Sequence, residues 1–221
     1  MTHVTSAEAL EQLPGWTVVD GRLEISVRAK DFTQAIEFVN RFTNFAEAQD
    51  HHPDFEVRYN TVRMRVVSHD VGHLTDRDIR FATSVDVLIE EMQLKRQPEK
   101  ITRAQLVLVS TDVSRIKPFW QAIFDFKQAK DDENVIVDRS DVLPSIRFHQ
   151  FADSSASQED VNLSGALGKA HLDIFVPAEL AADRVEAAVE AGGKLLNDTH
   201  GPFEWELSDI DGNRAFVRTS Q

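Results

Sequence analysis

The chain has 221 residues, enough for one large domain or two small ones, each with its own core. With 42% hydrophobic and 28% charged residues, no cysteine, and no apolar run near the roughly 18 residues of a membrane span, it reads as a globular protein without disulfides, thiolate chemistry or a bilayer segment. A formal net charge of −13 argues against nucleic acid as the main partner, because phosphate binding needs a concentrated basic surface.

Residues 1–11 are polar with an acidic lean and lack the cationic start and apolar core of a signal peptide, so cytoplasm is the expected compartment. Residues 16–19 and 23–27 are short strand-like runs joined by Asp20-Gly21, a two-residue hairpin signal. Leu23, Ile25 and Val27 alternate with polar residues, which buries one face of the second run. Asp31 offers a helix N-cap with Gln34 at capping-box spacing, and Phe32, Ala35, Ile36, Val39, Phe42 and Ala46 follow at helical intervals. Proline disfavours helical geometry in the residue before it, so Pro53 requires this helix to stop near His51-His52.

Two more strands are predicted over 55–59 and 61–68, with Val62, Met64 and Val66 facing one way and Arg63 and Arg65 the other. Gly72 breaks the chain, and Thr75 caps a helix carrying Ile79, Ala82, Val85, Leu88, Ile89 and Met92 on one stripe. The order β-β-α-β-β-α specifies an α+β fold, an antiparallel sheet with helices on one face. From Gln93 to Thr102 the apolar periodicity is lost around Pro98, which divides the chain into a domain over 1–94, a linker over 95–102 and a domain over 103–221.

The second half contains an internal repeat. A strand at 105–109 precedes a helical stretch around 119–124. A second strand at 171–176 precedes a helix over 180–191 that ends at Gly192-Gly193. Shorter strand-like runs follow each helix, at 134–137, 145–151, 203–207 and 214–217, and the polar stretch 152–169 between the copies is expected to be a long mobile loop. Trp120, Phe124 and Phe126 are expected in the core of the first copy.

The most chemically loaded segment is the one around His51, His52 and His69. Imidazole donates and accepts protons near neutrality, so these histidines point to proton transfer on a small molecule. They lie at a helix end and at a strand end one hairpin away, which can return to the same edge of a sheet. Asp78 can orient an imidazole, but Thr75-Asp-Arg-Asp78 also has the spacing of a capping box, so it can equally seat the helix. A zinc site is disfavoured, because adjacent histidines before a proline rarely bind one ion.

The full pattern is Glu47, His51-His52-Pro53, Tyr59, His69 and Asp78, preceded by Leu13-Pro-Gly-Trp16 and including Gly72-His-Leu-Thr75. It resembles the signature of the pterin-4a-carbinolamine (4a-hydroxytetrahydrobiopterin) dehydratases over residues 10 to 91. Phe55 stands where that family commonly has tryptophan, and Ser68 where threonine is usual. The resemblance implies a four-stranded antiparallel sheet with helices packed on one side, and a homo-oligomer. It also implies metal-free and cofactor-free dehydration of a 4a-hydroxytetrahydropterin to the quinonoid dihydropterin. It assigns His51, His52 and His69 as catalytic and pterin-contacting groups, without deciding which is acid and which is base. Asp78 then orients an imidazole or binds the pterin amide edge, Glu47 supports His51, and Phe55 forms part of the pocket wall.

The second half resembles the glyoxalase-like branch of the vicinal-oxygen-chelate superfamily, in its two strand starts and in Ser208-Asp-Ile-Asp-Gly-Asn213. That resemblance implies a paired βαβββ domain. It places metal ligands near Gln105 and His171 and near the ends of the two modules. There Arg147 and Phe216 stand in place of carboxylates, although His149 is close by. Two ligands are too few for a stable ion, so a metal-free cup is expected. Two other readings compete with a dehydratase: a dimerisation or regulatory protein that keeps the fold alone, and a metal-dependent glyoxalase or dioxygenase centred on the second domain.

Overall fold

The computed structural model describes residues 2–130, 132–150 and 171–219, so the expected loop over 152–169 lies outside the described residues. The chain divides into two units, Met1–Arg103 and Ala104–Gln221. No helix among the described residues is long and apolar enough to cross a membrane.

In the first unit a short helix α1 (Ser6–Gln12) precedes the hairpin. Thr5 and Glu8 close it in a capping box, a signal the periodicity analysis passed over. Strands β1 (Thr17–Val19) and β2 (Arg22–Arg28) are antiparallel, with Val19 opposite Arg22. Both turn residues, Asp20 and Gly21, have positive φ (50° and 71°), the geometry that matches the twist of the flanking strands. Helix α2 (Phe32–Gln49) starts at Asp31, whose carboxylate accepts from Gln34 N–H at 2.8 Å. Then come β3 (Asp54–Arg58), β4 (Thr61–Val66) and helix α3 (Asp76–Glu91).

The sheet order is β1-β2-β4-β3, antiparallel throughout. Leu23, Ile25 and Val27 of β2 and Val62, Met64 and Val66 of β4 share one buried cluster with Phe38 and Phe42 of α2 and with Phe81, Val85 and Leu88 of α3. The two-residue alternation and the helical stripes therefore meet in one core, as expected from sequence.

The run 95–102 is not the free linker its composition suggests. Strand β5 (Lys95–Arg96) pairs with Val27 and Arg28, beyond the end of β1 on the same edge of β2. A 3-10 turn (Pro98–Lys100) follows, Gln97 N–H donates to Ser26 O at 2.8 Å, and Arg103 Nη2 reaches Glu24 Oε1 at 2.8 Å. A two-residue strand has no periodicity to read, and its pairing comes from the open edge beside β1.

The second unit repeats one module. The first copy is β6 (Gln105–Ser110), α4 (Val113–Phe124), β7 (Lys127–Gln128), β8 (Val135–Val137) and β9 (Ser145–Gln150). The second is β10 (His171–Phe175), α5 (Ala178–Glu190), β11 (Lys194–His200), β12 (Glu204–Ser208) and β13 (Arg214–Arg218). Each copy forms a four-stranded sheet, β6-β9-β8-β7 and β10-β13-β12-β11, in which the first and last strands run parallel and the rest antiparallel. This is the expected paired βαβββ arrangement.

One core joins the copies, with Ile116, Phe119 and Trp120 of α4 beside Ala181 and Ala188 of α5 and Leu207 and Val217. Trp120 Nε1–H donates to the buried Asp209 Oδ2 at 2.9 Å, which ties the first helix to the 208–213 turn. Gly193 lies flat on Phe119: a Cβ there would come within 2.3 Å of the ring.

Candidate active site

Helix α2 ends at Asp50, whose left-handed conformation (φ 46°) reverses the chain, while His51 N–H still donates to Ala46 O at 3.0 Å. The next two residues, ahead of Pro53, differ sharply in exposure. His51 goes inward and is buried, with 6% of its surface exposed, whereas the His52 side chain is 58% exposed.

His51 Nε2 meets Asp78 Oδ1 at 2.9 Å, and its ring packs edge-on against Phe81. The other oxygen of Asp78 accepts Thr75 N–H at 2.7 Å, Thr75 Oγ1 at 3.0 Å and Ser68 Oγ at 2.8 Å. Helix seat and imidazole partner, alternatives in the sequence, are thus served by separate oxygens of one carboxylate. Burial alone would raise the Asp78 pKa. The hydrogen bonds from His51, Ser68 and Thr75 outweigh it and hold the carboxyl below its usual range, so it is ionised at neutral pH. A carboxylate only accepts, so His51 Nε2 carries the hydrogen and the neutral ring has its lone pair on Nδ1.

His52 Nε2 lies 3.2 Å from Glu47 Oε1. Glu47 therefore partners His52 rather than His51, because the reversal at Asp50 folds His52 back over the last turn of α2. His69, at the turn after β4, points Nε2 towards Asp54 Oδ2 at 3.7 Å, an ion-pair distance longer than a hydrogen bond. Asp54 opens β3 two residues after His52, and its contact brings His69 to the end of the sheet where His52 lies. Sequence reasoning missed Asp54, although a carboxylate directly after the His-His-Pro triplet was a readable signal. Phe55 follows it, 45% exposed, with its ring edge-on to Phe42 at 5.1 Å. Tyr59 sits in the β3–β4 turn at φ 55°, largely exposed.

Each of the three histidines therefore turns Nε2 to its own carboxylate: His51 to Asp78, His52 to Glu47 and His69 to Asp54. At hydrogen-bond distance, as for His51 and His52, a facing carboxylate fixes the orientation of the ring, which a proton-transfer group requires. Of the three, only the His52 and His69 rings combine a facing carboxylate with wide exposure, 58% and 57%.

In the second unit the candidate metal positions are filled otherwise. Arg147 Nε–H donates to Gln105 Oε1 at 3.0 Å and Nη1–H to Asp132 Oδ2 at 2.7 Å. His171 packs edge-on with the Phe216 ring at 4.7 Å, with Nε2 3.3 Å from Asp173, and the Arg218 guanidinium lies over that ring at 5.1 Å. His149 is exposed at the end of β9. A guanidinium and a phenyl ring repel or ignore a cation, and no group of three or more His, Asp or Glu that could hold a metal occurs among the described residues. These residues do not fit a metal centre.

The family model for pterin 4 alpha carbinolamine dehydratase matches residues 1–88, and that for a glyoxalase-like domain matches residues 105–217. A protein of Picosynechococcus sp. described as a pterin-4-alpha-carbinolamine dehydratase is 41% identical over 90 residues, covering 39% of this chain and 98% of the relative. One from Acidobacterium capsulatum with the same description is 43% identical over 89 residues, covering 40% and 97%. The crystal structure of a transcriptional coactivator/pterin dehydratase from Brucella melitensis is 32% identical, with a TM-score of 0.38, over 39% of this chain and 98% of that one.

Proposed function

The chain belongs to the pterin-4a-carbinolamine dehydratase family through its first unit and to the glyoxalase-like domain family through its second, and from that premise we propose that the first unit is a lyase dehydrating a 4a-hydroxytetrahydropterin. The observation that carries the reading is the pair of exposed imidazoles, His52 and His69, each facing a carboxylate at one end of the sheet.

In the reaction the bond between pterin carbon 4a and its hydroxyl oxygen breaks. One imidazolium gives its proton to that oxygen, which leaves as water. The N5–H proton passes to a neutral imidazole, and the N5 lone pair closes the double bond to carbon 4a, giving the quinonoid dihydropterin. The substrate loses the elements of water and nothing else, and the two exposed imidazoles exchange their protons with solvent to restore the starting state. Glu47 orients the His52 ring, and Asp54 lies beside the His69 ring. His51, buried beside Asp78, holds the helix end from which His52 projects, and the partly exposed Phe55 offers its ring as an apolar wall beside Asp54. The described residues of the second unit contribute no metal centre to this reaction.

The test is turnover of a 4a-hydroxytetrahydropterin by His52→Ala and His69→Ala. Each should fall by roughly 100-fold, in line with the contribution of one acid–base group. Stability should hardly change, because neither ring fills a core. Near-normal turnover in both variants would falsify the assignment.

A further inference from the structure

The imidazole of His69 is more than half exposed, and its facing carboxylate is at 3.7 Å, too far for a hydrogen bond. Its position is therefore set by its backbone. That backbone is a tight turn: Val71 and Gly72 N–H both donate to Ser68 O, at 3.2 and 2.9 Å, and Gly72 takes φ 73°. The turn is fastened to the start of α3 on both sides of His69. On one side Ser68 Oγ donates to Asp78 Oδ2 at 2.8 Å. On the other, Asp70 Oδ1 accepts from Arg77 Nη2–H.

Arg77 is an odd residue for its place. A cation in the first turn of a helix opposes the helix dipole, and here its Nε is also buried without a hydrogen-bond partner. Asp76 and Asp78, in the same turn, have the favourable sign. Local helix stability gives no reason for an arginine at 77, and residues that break a local rule tend to serve a site. The ion pair also acts on Asp70. The Arg77 hydrogen bond holds the Asp70 carboxyl below its ordinary range, so the contact is charged on both sides at neutral pH.

We propose that Arg77 is a positioning residue for the dehydratase site: by binding Asp70 it fixes the turn that presents His69 to the substrate. The inference rests on the dehydratase reading above. Arg77 touches neither substrate nor reacting atoms; it sets the distance over which His69 transfers its proton, and misplacement by about an ångström costs such a group up to about 100-fold in rate.

The experiment is a double-mutant cycle on the full chain, with 4a-hydroxytetrahydropterin dehydration as the readout. Arg77→Gln and, from the exposed side of the pair, Asp70→Asn should each lower kcat roughly 10-fold with little change in KM. Arg77→Lys should recover part of the loss. In a His69→Ala background neither substitution should lower the residual rate further, since the group being positioned is gone. Equal fold-losses in both backgrounds would overturn the proposal by showing a general structural role. So would unchanged kcat in Arg77→Gln and Asp70→Asn while His69→Ala is slow. If His69→Ala keeps full turnover while His52→Ala is slow, this inference falls and the dehydratase reading stands; if both keep full turnover, the dehydratase reading falls as well, a result separable from the other two.

Discussion

Replacing Asp78 by alanine or by asparagine separates two parts of its role, and the structure sets the size of each. In Asp78→Ala four donors lose their acceptor: His51 Nε2, Ser68 Oγ, Thr75 Oγ1 and Thr75 N. The two hydroxyls retain each other at 2.8 Å, which leaves Thr75 N–H and His51 Nε2–H as buried orphans. An unpaired buried donor costs about 1–3 kcal/mol, so with two of them the alanine variant should lose about 2–6 kcal/mol, a large share of a domain's stability. Asp78→Asn keeps an oxygen over Thr75 N–H and turns an amide towards His51. The imidazole can then move its hydrogen to Nδ1 and accept at Nε2, so only charge assistance is lost, about 1–2 kcal/mol. Urea titration with pulse hydrogen exchange of the α3 amides reads this unit apart from the other, and nitrogen-15 NMR of His51 reads the tautomer. An alanine cost no larger than the asparagine cost, or a His51 ring still protonated at Nε2 in the asparagine variant, would refute the reasoning.

Because the folded-state pKa of Asp78 is depressed, its contribution to stability is present above the ordinary carboxylate value of about 3.9 and is lost as pH falls through the folded value. Acid unfolding of the first unit should accordingly be less steep in Asp78→Asn than in the wild type below about pH 4, and parallel acid limbs would contradict this. Gly193→Ala should destabilise the second unit by about 1–3 kcal/mol, since the added methyl must displace Phe119, and should leave α3 exchange unchanged; an unaltered urea midpoint by Trp120 and Trp205 fluorescence would count against it. Zinc, nickel or manganese should not raise the melting temperature, because a ligand that binds only the folded state stabilises it by RT ln(1 + [L]/Kd). A rise of several degrees that vanishes in His171→Ala but survives in His51→Ala would mean that the cup holds a metal after all.

Where apolar residues recur at a strict period the sequence was enough. β2, β4, α2 and α3 of the first unit follow from Leu23/Ile25/Val27, from Val62/Met64/Val66 and from two helical stripes, because a strict period assigns both the element and its buried face. The elements that went unread have no period to show. β5 and β7 are two residues long, and β11 (Lys194–His200) is exposed along its whole length, so no apolar alternation marks it. The same limit held at the site. Residue types and spacing selected His51, His52, His69, Asp78 and Glu47, but which carboxylate meets which ring depends on the left-handed residue Asp50, and with it the direction in which two adjacent imidazoles leave the chain. Asp54 was readable as a carboxylate beside His-His-Pro, but its partner was not, because the β3–β4 pairing is what brings it to His69.

The return of residues 95–103 to the first sheet bears on how this chain could be recombined. The dehydratase match stops at residue 88, whereas the folded unit runs on to Arg103. The end of the family match is therefore not the boundary of the folded unit. A chimera joined at 88 would carry β2 with its lower edge bare and would take from the buried Glu24 the guanidinium that meets it. One joined after 103 would carry the whole sheet. Exchange of the second unit should therefore be better tolerated where residues 89–103 travel with the first.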